Sequence, residues 1–130
     1  MTAQDNCPSN RILLHIGYHK TATTWFQSEL FSRPEFEFEL LSARNLVHQA
    51  LCMPDPLASG RENGLRQIIS EAHEATARGH YFVISHERLS GYPASGGFDS
   101  RMLADRLKSC FPNARIFCLF REQRAMILSA

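Results

Sequence analysis

The chain contains three short apolar runs, and each has the pattern of a strand that is buried on both faces. They span residues 12–17, 81–85 and 116–120 and are rich in β-branched, leucine and aromatic side chains. The first run ends in glycine, and turn-forming residues precede the other two, at Gly79 and at Pro112. The pattern therefore predicts three central strands.

Apolar residues with helical spacing lie between these runs. Positions 22, 26 and 30 predict a helix over 23–32, which Pro34 prevents from continuing. A stripe from position 65 to 75 predicts a second helix that stops at Gly79. A third stripe, from 103 to 111, has Asp99 or Ser100 placed to cap its first turn. The segment 124–130 has the pattern of one more helix opening.

The segment 35–60 is ambiguous, because residues 35–40 alternate like a strand whereas residues 40–52 suit a helix. Strands that alternate with helices imply right-handed crossovers, so we expect an α/β fold with a parallel sheet and helices on both faces. Such sheets bind ligands beyond the carboxyl ends of their strands. Candidate chemistry should therefore lie directly after Ile16, Ile84 and Phe120.

Composition narrows the class of protein. The 130 residues are 44% hydrophobic and 21% charged, which is typical of one globular domain over 11–130 after a polar tail at 1–10. A net charge of +1 predicts neither nucleic acid nor an anionic membrane as partner. The four cysteines form no CxxC pair, Cys118 has the setting of a buried thiol, and no signal peptide or membrane span is apparent. A reducing, cytoplasmic location fits best.

The loop after the first strand carries the clearest candidate chemistry. A turn from a buried strand into a helix N-terminus points several backbone N–H groups into one concavity, which predicts an anion site. Lys20 adds a full charge, and the hydroxyls of Thr21, Thr23 and Thr24 can donate to phosphate oxygens. The alternative is a solvated lysine in a turn whose threonines serve only as caps. The loop is not a Walker A sequence, because His19 precedes the lysine where that motif needs glycine.

This string resembles the 5′-phosphosulfate loop of the sulfotransferase family, usually Y-P-K-[ST]-G-T-[ST]-W. The matching residues are Tyr18, Lys20, Thr21, Thr23, Thr24 and Trp25. Two positions depart from the pattern, since the usual proline is His19 and the usual glycine is Ala22. An alanine there is expected to narrow the approach of backbone to phosphate unless its φ is negative. Trp25 is typical of a core residue by position, whereas the resemblance implies that it stacks on adenine.

The third apolar run supports the same resemblance. Sulfotransferases bind the 3′-phosphate of 3′-phosphoadenosine 5′-phosphosulfate with an arginine at the end of this strand and a serine eight positions later. Arg121 and Ser129 match that pair in type and spacing. An arginine fork suits a terminal phosphate. The alternative is a surface arginine with a serine at that spacing by chance.

The second run ends in two titratable residues, His86 and Glu87. In branches of the family either a histidine or a glutamate here acts as the base, and the S-x-E-x-L-S-G form of this segment favours Glu87. The alternative is two solvated polar residues at a strand end. A zinc site of the H-E-x-x-H type is excluded, because Ser90 stands where the second histidine would be. His15, in mid-strand, is expected to be a core histidine with its hydrogen bonds satisfied.

The resemblance implies a P-loop-like sulfotransferase fold and sulfuryl transfer from 3′-phosphoadenosine 5′-phosphosulfate to a hydroxyl or amine, with Lys20 stabilising the leaving oxygen and no metal. A small molecule or a carbohydrate is the expected acceptor. The alternatives are a phosphotransferase with a variant P-loop, for which Glu87 is the one candidate Mg²⁺ ligand at a strand end, and a non-catalytic nucleotide-binding fragment. Because the family's domain normally continues well past Ser129, the fold is expected to be incomplete at its C-terminus and to self-associate through an exposed sheet edge.

Overall fold

The computed structural model of the chain describes residues 6–17, 22–41, 43–53, 60–92, 96–120, 122, 124 and 128. Its strands are β1 (Ile12–Ile16), β2 (Phe38–Leu40), β3 (Tyr81–His86) and β4 (Arg115–Phe117). They form one parallel sheet in the order β2-β3-β1-β4. The predicted α/β class with a parallel sheet is confirmed.

The helices lie between these strands, as the apolar spacing predicts. They are α1 (Thr23–Trp25), which continues as a π-helical turn (Phe26–Leu30), α2 (Arg44–Val47), which continues as another (His48–Cys52), α3 (Arg61–Ala77) and α4 (Ser100–Cys110). Single 3₁₀ turns span Pro34–Phe36 and Glu87–Ser90. The ambiguous segment 35–60 thus supplies a short strand and a helix. The second predicted helix ends before Gly79, which adopts a left-handed φ of 80° and terminates the helix.

The two faces of the sheet bury different kinds of side chain. On one face Leu14 and Ile84, which are partners in the β1–β3 register, belong to the aliphatic core formed with α3 and α4. On the other face His15 lies among the rings of Phe26, Phe31 and Phe117, with ring centroids 5.0 to 5.5 Å away. This alternation follows from the two-residue period of a strand. Helical segments therefore pack on both faces, as predicted.

The prediction of a third central strand over 116–120 is wrong in two respects. β4 covers only Arg115–Phe117, and within the described part of the chain it lies at the edge of the sheet. Ile116 is 67% exposed and Phe120 is 76% exposed. An apolar run indicates that a segment can be buried on both faces, but the run does not determine whether a neighbouring strand covers it.

The expected caps of α4 serve another purpose. Asp99 occupies the N-cap position but its side chain makes no capping bond. Its Oδ1 instead accepts from the Tyr92 N–H at 2.9 Å, and the Ser100 hydroxyl donates to the Ser90 carbonyl at 2.9 Å. The start of α4 is therefore tied to the turn that follows β3.

The cysteines are all free thiols. Cys7, in the segment predicted as a polar tail, is fully buried, and its N–H donates to the Cys110 carbonyl at 2.8 Å. Cys118 was expected to be buried and is only half-buried, because β4 ends before it. Burial raises the pKa of Cys52 to about 11, so this thiol is protonated at neutral pH.

Candidate functional site

The sheet topology places one crevice at the carboxyl ends of β1 and β3. From β1 the chain crosses to β2 on the far side of β3, whereas from β3 it crosses to β4 on the far side of β1. The two connections leave in opposite directions, which opens a space between the two strand ends where α/β proteins bind ligands. Ile16 and His86 are direct partners in the register. Gly17 and Glu87, which follow them, therefore flank this crevice.

Gly17 and Thr23, at the two ends of the β1–α1 loop, are in close contact. Gly17 is buried, and a Cβ on it would overlap the side chain of Thr23, so only glycine permits this approach. Thr23 is 6% exposed, and its Oγ1 is buried with no hydrogen-bond partner among the described residues. A buried hydroxyl without a partner is costly. This oxygen is therefore available to a polar ligand held by the loop.

Ala22 starts α1 from a left-handed conformation. Its φ is 60° and its ψ is 25°, and its carbonyl accepts the Phe26 N–H at 3.1 Å. The negative φ that an alanine was expected to need here is therefore not found. Left-handed backbone costs an ordinary residue about 1–2 kcal/mol, which explains why glycine is the residue best suited to this position.

We expect Ala22→Gly to stabilise the fold by about 1 kcal/mol, because the relief of left-handed strain exceeds the entropy that glycine adds to the unfolded chain. Urea denaturation followed by circular dichroism measures the change. Ala104→Gly, on the exposed side of α4, is the matched control and should cost about 1 kcal/mol. Equal destabilisation by both substitutions would contradict a left-handed Ala22.

Trp25 and Thr24 are exposed on the first turn of α1. Trp25 is 55% exposed and meets Phe26 edge to face, with 5.2 Å between ring centroids. The alternative that Trp25 is a core residue is wrong, because its side chain is largely exposed. Phe26, the next residue, makes the aromatic contact with the interior. The indole is available to stack on a planar ligand.

His86 and Glu87 stand together where β3 ends. The N–H of Arg88 donates to His86 Nδ1 at 3.0 Å, and Glu87 Oε2 lies 3.9 Å from the same nitrogen. Since Nδ1 is an acceptor, the neutral imidazole carries its proton on Nε2 and can only donate there. The His86 imidazole also stacks on the ring of His48, with 6.2 Å between the ring centroids. The backbone thus assigns His86 a donor role and leaves the carboxylate of Glu87 as an acceptor.

A buried polar network lies directly beneath this pair. Gln27 Nε2 donates to Ser85 Oγ at 3.0 Å and to the Ser85 carbonyl at 3.2 Å. The Ser85 hydroxyl can then donate its one proton to His15 Nδ1, 2.7 Å away. Burial lowers the pKa of His15, although nearby Glu87 partly offsets this by raising it. The network is therefore neutral, and it joins α1 to the strand that ends in Glu87.

The expectation that His15 has satisfied hydrogen bonds is only half correct. Within the described part of the chain its Nε2 has no hydrogen-bond partner, because the rings of Phe26, Phe31 and Phe117 surround the imidazole. Gln27 and Ser85 were not singled out from the sequence. The signal that could have found them is two polar residues, His15 and Ser85, in otherwise apolar strands that pair in register.

Several predicted site residues lie outside the described residues, and they are Tyr18, His19, Lys20, Thr21, Arg121 and Ser129. The described ones, Ala22 to Trp25 with His86 and Glu87, belong to the two segments that flank the crevice. Within the described ranges, no three His, Cys, Asp or Glu side chains lie close enough to hold a metal ion. No helix among the same residues is long and apolar enough to cross a membrane.

Comparisons with known proteins return nothing for this chain. No protein-family model, no curated protein and no solved structure matches it. The motif residues and the geometry of the crevice are therefore the features that indicate a function.

Proposed function

We propose that this protein transfers a sulfuryl group from 3′-phosphoadenosine 5′-phosphosulfate to a hydroxyl or amine acceptor, on a P-loop-like sulfotransferase fold. The observation that carries the proposal is the buried, unpartnered hydroxyl of Thr23 beside Gly17. It lies at the point where the sequence resembles a 5′-phosphosulfate loop and where the topology opens a ligand crevice.

The residues present fit this donor. An anionic oxygen in the loop would accept from the Thr23 hydroxyl and so remove the cost of burying it unpartnered. Lys20, Thr21 and Thr24 are proposed to bind the 5′-phosphosulfate, Arg121 and Ser129 the 3′-phosphate, and the exposed Trp25 ring the adenine. Tyr18, His19 and Ala22 complete the loop backbone. The donor supplies an already activated sulfuryl group, so none of these roles requires a metal.

Glu87 is the proposed base and His86 a hydrogen-bond donor, because the Arg88 N–H occupies His86 Nδ1. Glu87 accepts the proton of the acceptor as a new bond forms between acceptor oxygen or nitrogen and sulfur. The bond from sulfur to the bridging phosphate oxygen breaks. Lys20 stabilises the negative charge on that oxygen as adenosine 3′,5′-bisphosphate leaves.

Isothermal titration calorimetry tests the donor site with adenosine 3′,5′-bisphosphate and with ATP and Mg²⁺. We expect the bisphosphate to bind and ATP to bind far more weakly. Thr23→Val keeps the shape of the side chain but removes its hydroxyl, and it should weaken bisphosphate binding about tenfold, since a hydrogen bond to a charged group is lost. Thr23→Ser, which keeps the hydroxyl, is the matched control. Tighter binding of ATP than of the bisphosphate would favour a phosphotransferase instead.

A further inference from the structure

Arg88 is a half-buried cation next to the proposed base, and it has no counter-ion among the residues that the structure describes. It follows Glu87 in the 3₁₀ turn Glu87–Ser90. Its Nε is buried and has no hydrogen-bond partner, and no carboxylate of the described residues pairs with it. A guanidinium in this state is costly unless something else satisfies it.

The aromatic ring of Tyr92 holds this guanidinium in place. The Arg88 guanidinium carbon lies 4.4 Å from the centroid of the Tyr92 ring, a cation–π distance. The N–H of Tyr92 is in turn held by Asp99 Oδ1. Stacking covers one face of the guanidinium and leaves its edge of N–H donors, which is the part that binds a carboxylate, sulfate or phosphate. Tyr92 is exposed and Arg88 is half-buried, so the pair lies at the surface, although Arg88 Nε itself is buried.

A second guanidinium, that of Arg106, lies in the same region as Arg88. Arg88 and Arg106 both act on the Cys52 thiol as positive charges, and Asp99 is the acidic group that opposes them there. Arg106 donates to the Met53 carbonyl at 3.2 Å and so is fixed near the same place. Two guanidinium groups held in one region favour an anion over a neutral group there.

We propose that Arg88 is the acceptor-recognition residue of the site and that the acceptor carries an anionic group, a carboxylate, sulfate or phosphate, near the hydroxyl or amine that receives the sulfuryl group. This inference rests on the proposed function. The Arg88 N–H donates to His86 Nδ1, and Glu87 precedes Arg88 in the same 3₁₀ turn, so the guanidinium is carried by the turn that also carries the proposed base. Arg88 then binds the anionic group of the acceptor, and Glu87 contacts its hydroxyl or amine.

Two matched pairs of acceptors test the proposal with radiolabelled donor. The pairs are 4-methylumbelliferyl glucuronide with the corresponding glucoside, and 3-(4-hydroxyphenyl)propionate with 4-ethylphenol. We expect kcat/KM to favour the anionic member of at least one pair about tenfold to a hundredfold, through KM, because a charge-assisted pair is formed. Arg88→Gln should abolish that preference, so that kcat/KM for the anionic member falls to the value for the neutral member. Arg88→Lys should retain part of it, since lysine keeps the charge but loses the fork.

Arg101→Gln is the control, because the Arg101 side chain is 94% exposed on the solvent side of α4. It should leave the ratio of kcat/KM between the anionic and the neutral acceptor unchanged in both pairs. Bisphosphate binding is measured on every variant by calorimetry. If the nucleotide binds but no anionic acceptor is preferred, or the preference survives Arg88→Gln, the role of Arg88 is overturned and the donor site stands. The same conclusion applies if none of the four acceptors is sulfated. If the bisphosphate itself does not bind, the proposed function fails, and the acceptor assignment fails with it.

Discussion

Glu87→Gln should lower kcat for sulfuryl transfer by about 10²–10⁴-fold, the usual contribution of a positioned general base. Glutamine has the shape of glutamate but cannot take the proton of the acceptor. The side chain lies at the mouth of the crevice, one residue beyond the Ile16–His86 pair. A coupled assay for adenosine 3′,5′-bisphosphate measures turnover, and calorimetry should show unchanged binding of the same nucleotide.

His86→Asn is the matched variant for this experiment. The asparagine oxygen can replace Nδ1 as the acceptor of the Arg88 N–H, so the 3₁₀ turn keeps its hydrogen bond. We expect a loss of about tenfold or less, because only a hydrogen-bond donor disappears. A larger loss in His86→Asn than in Glu87→Gln would make the histidine the base and would overturn the assignment based on its tautomer.

Lys20→Ala should lower kcat by about 10²–10³-fold, comparable to the removal of a group that stabilises charge in the transition state. The lysine ammonium is proposed to meet the bridging oxygen as negative charge develops on it. Because this interaction strengthens in the transition state, kcat should fall more than the affinity for adenosine 3′,5′-bisphosphate. Thermal unfolding should be unchanged, since the substitution removes a polar group from a loop.

Lys108→Ala is the control, because Lys108 is the chain's other lysine. It is exposed on α4, and its Nζ donates to the Pro112 carbonyl at 2.6 Å. Its substitution should leave turnover intact. Full transfer by Lys20→Ala would remove the 5′-phosphosulfate loop from the proposal, whereas equal losses in both lysine variants would indicate a general effect of charge.

The sequence predicts the elements whose hydrophobic pattern is strong and local. β1, β3, α3 and α4 were all expected, because each has a clear apolar run or stripe and a glycine or proline near its end. The segment 35–60 stayed ambiguous because its alternation and its helical stripe overlap at Leu40. β4 was expected to be central, but its exposure depends on neighbouring strands rather than on its own residues.

The candidate site was predictable in its segments but not in its internal contacts. The positions of the apolar runs predict that the β1–α1 loop and the end of β3, with His86 and Glu87, lie at the same edge of the sheet. The left-handed Ala22 was not expected, because alanine seldom adopts that conformation. The Gln27–Ser85–His15 network combines residues from three elements, and only the register of β1 with β3 reveals that they meet.

The pairing of β1 with β3 also bears on how the site is assembled during folding. His15 and Ser85 bond across a separation of 70 residues, so the crevice is built on a contact of high sequence separation. Closing a loop of this length has an entropic cost, and contacts between residues far apart in sequence are associated with slower folding. A peptide that contains only the loop and α1 would lack the neighbouring strand, and with it half of the crevice. The crevice is therefore complete only in the tertiary fold.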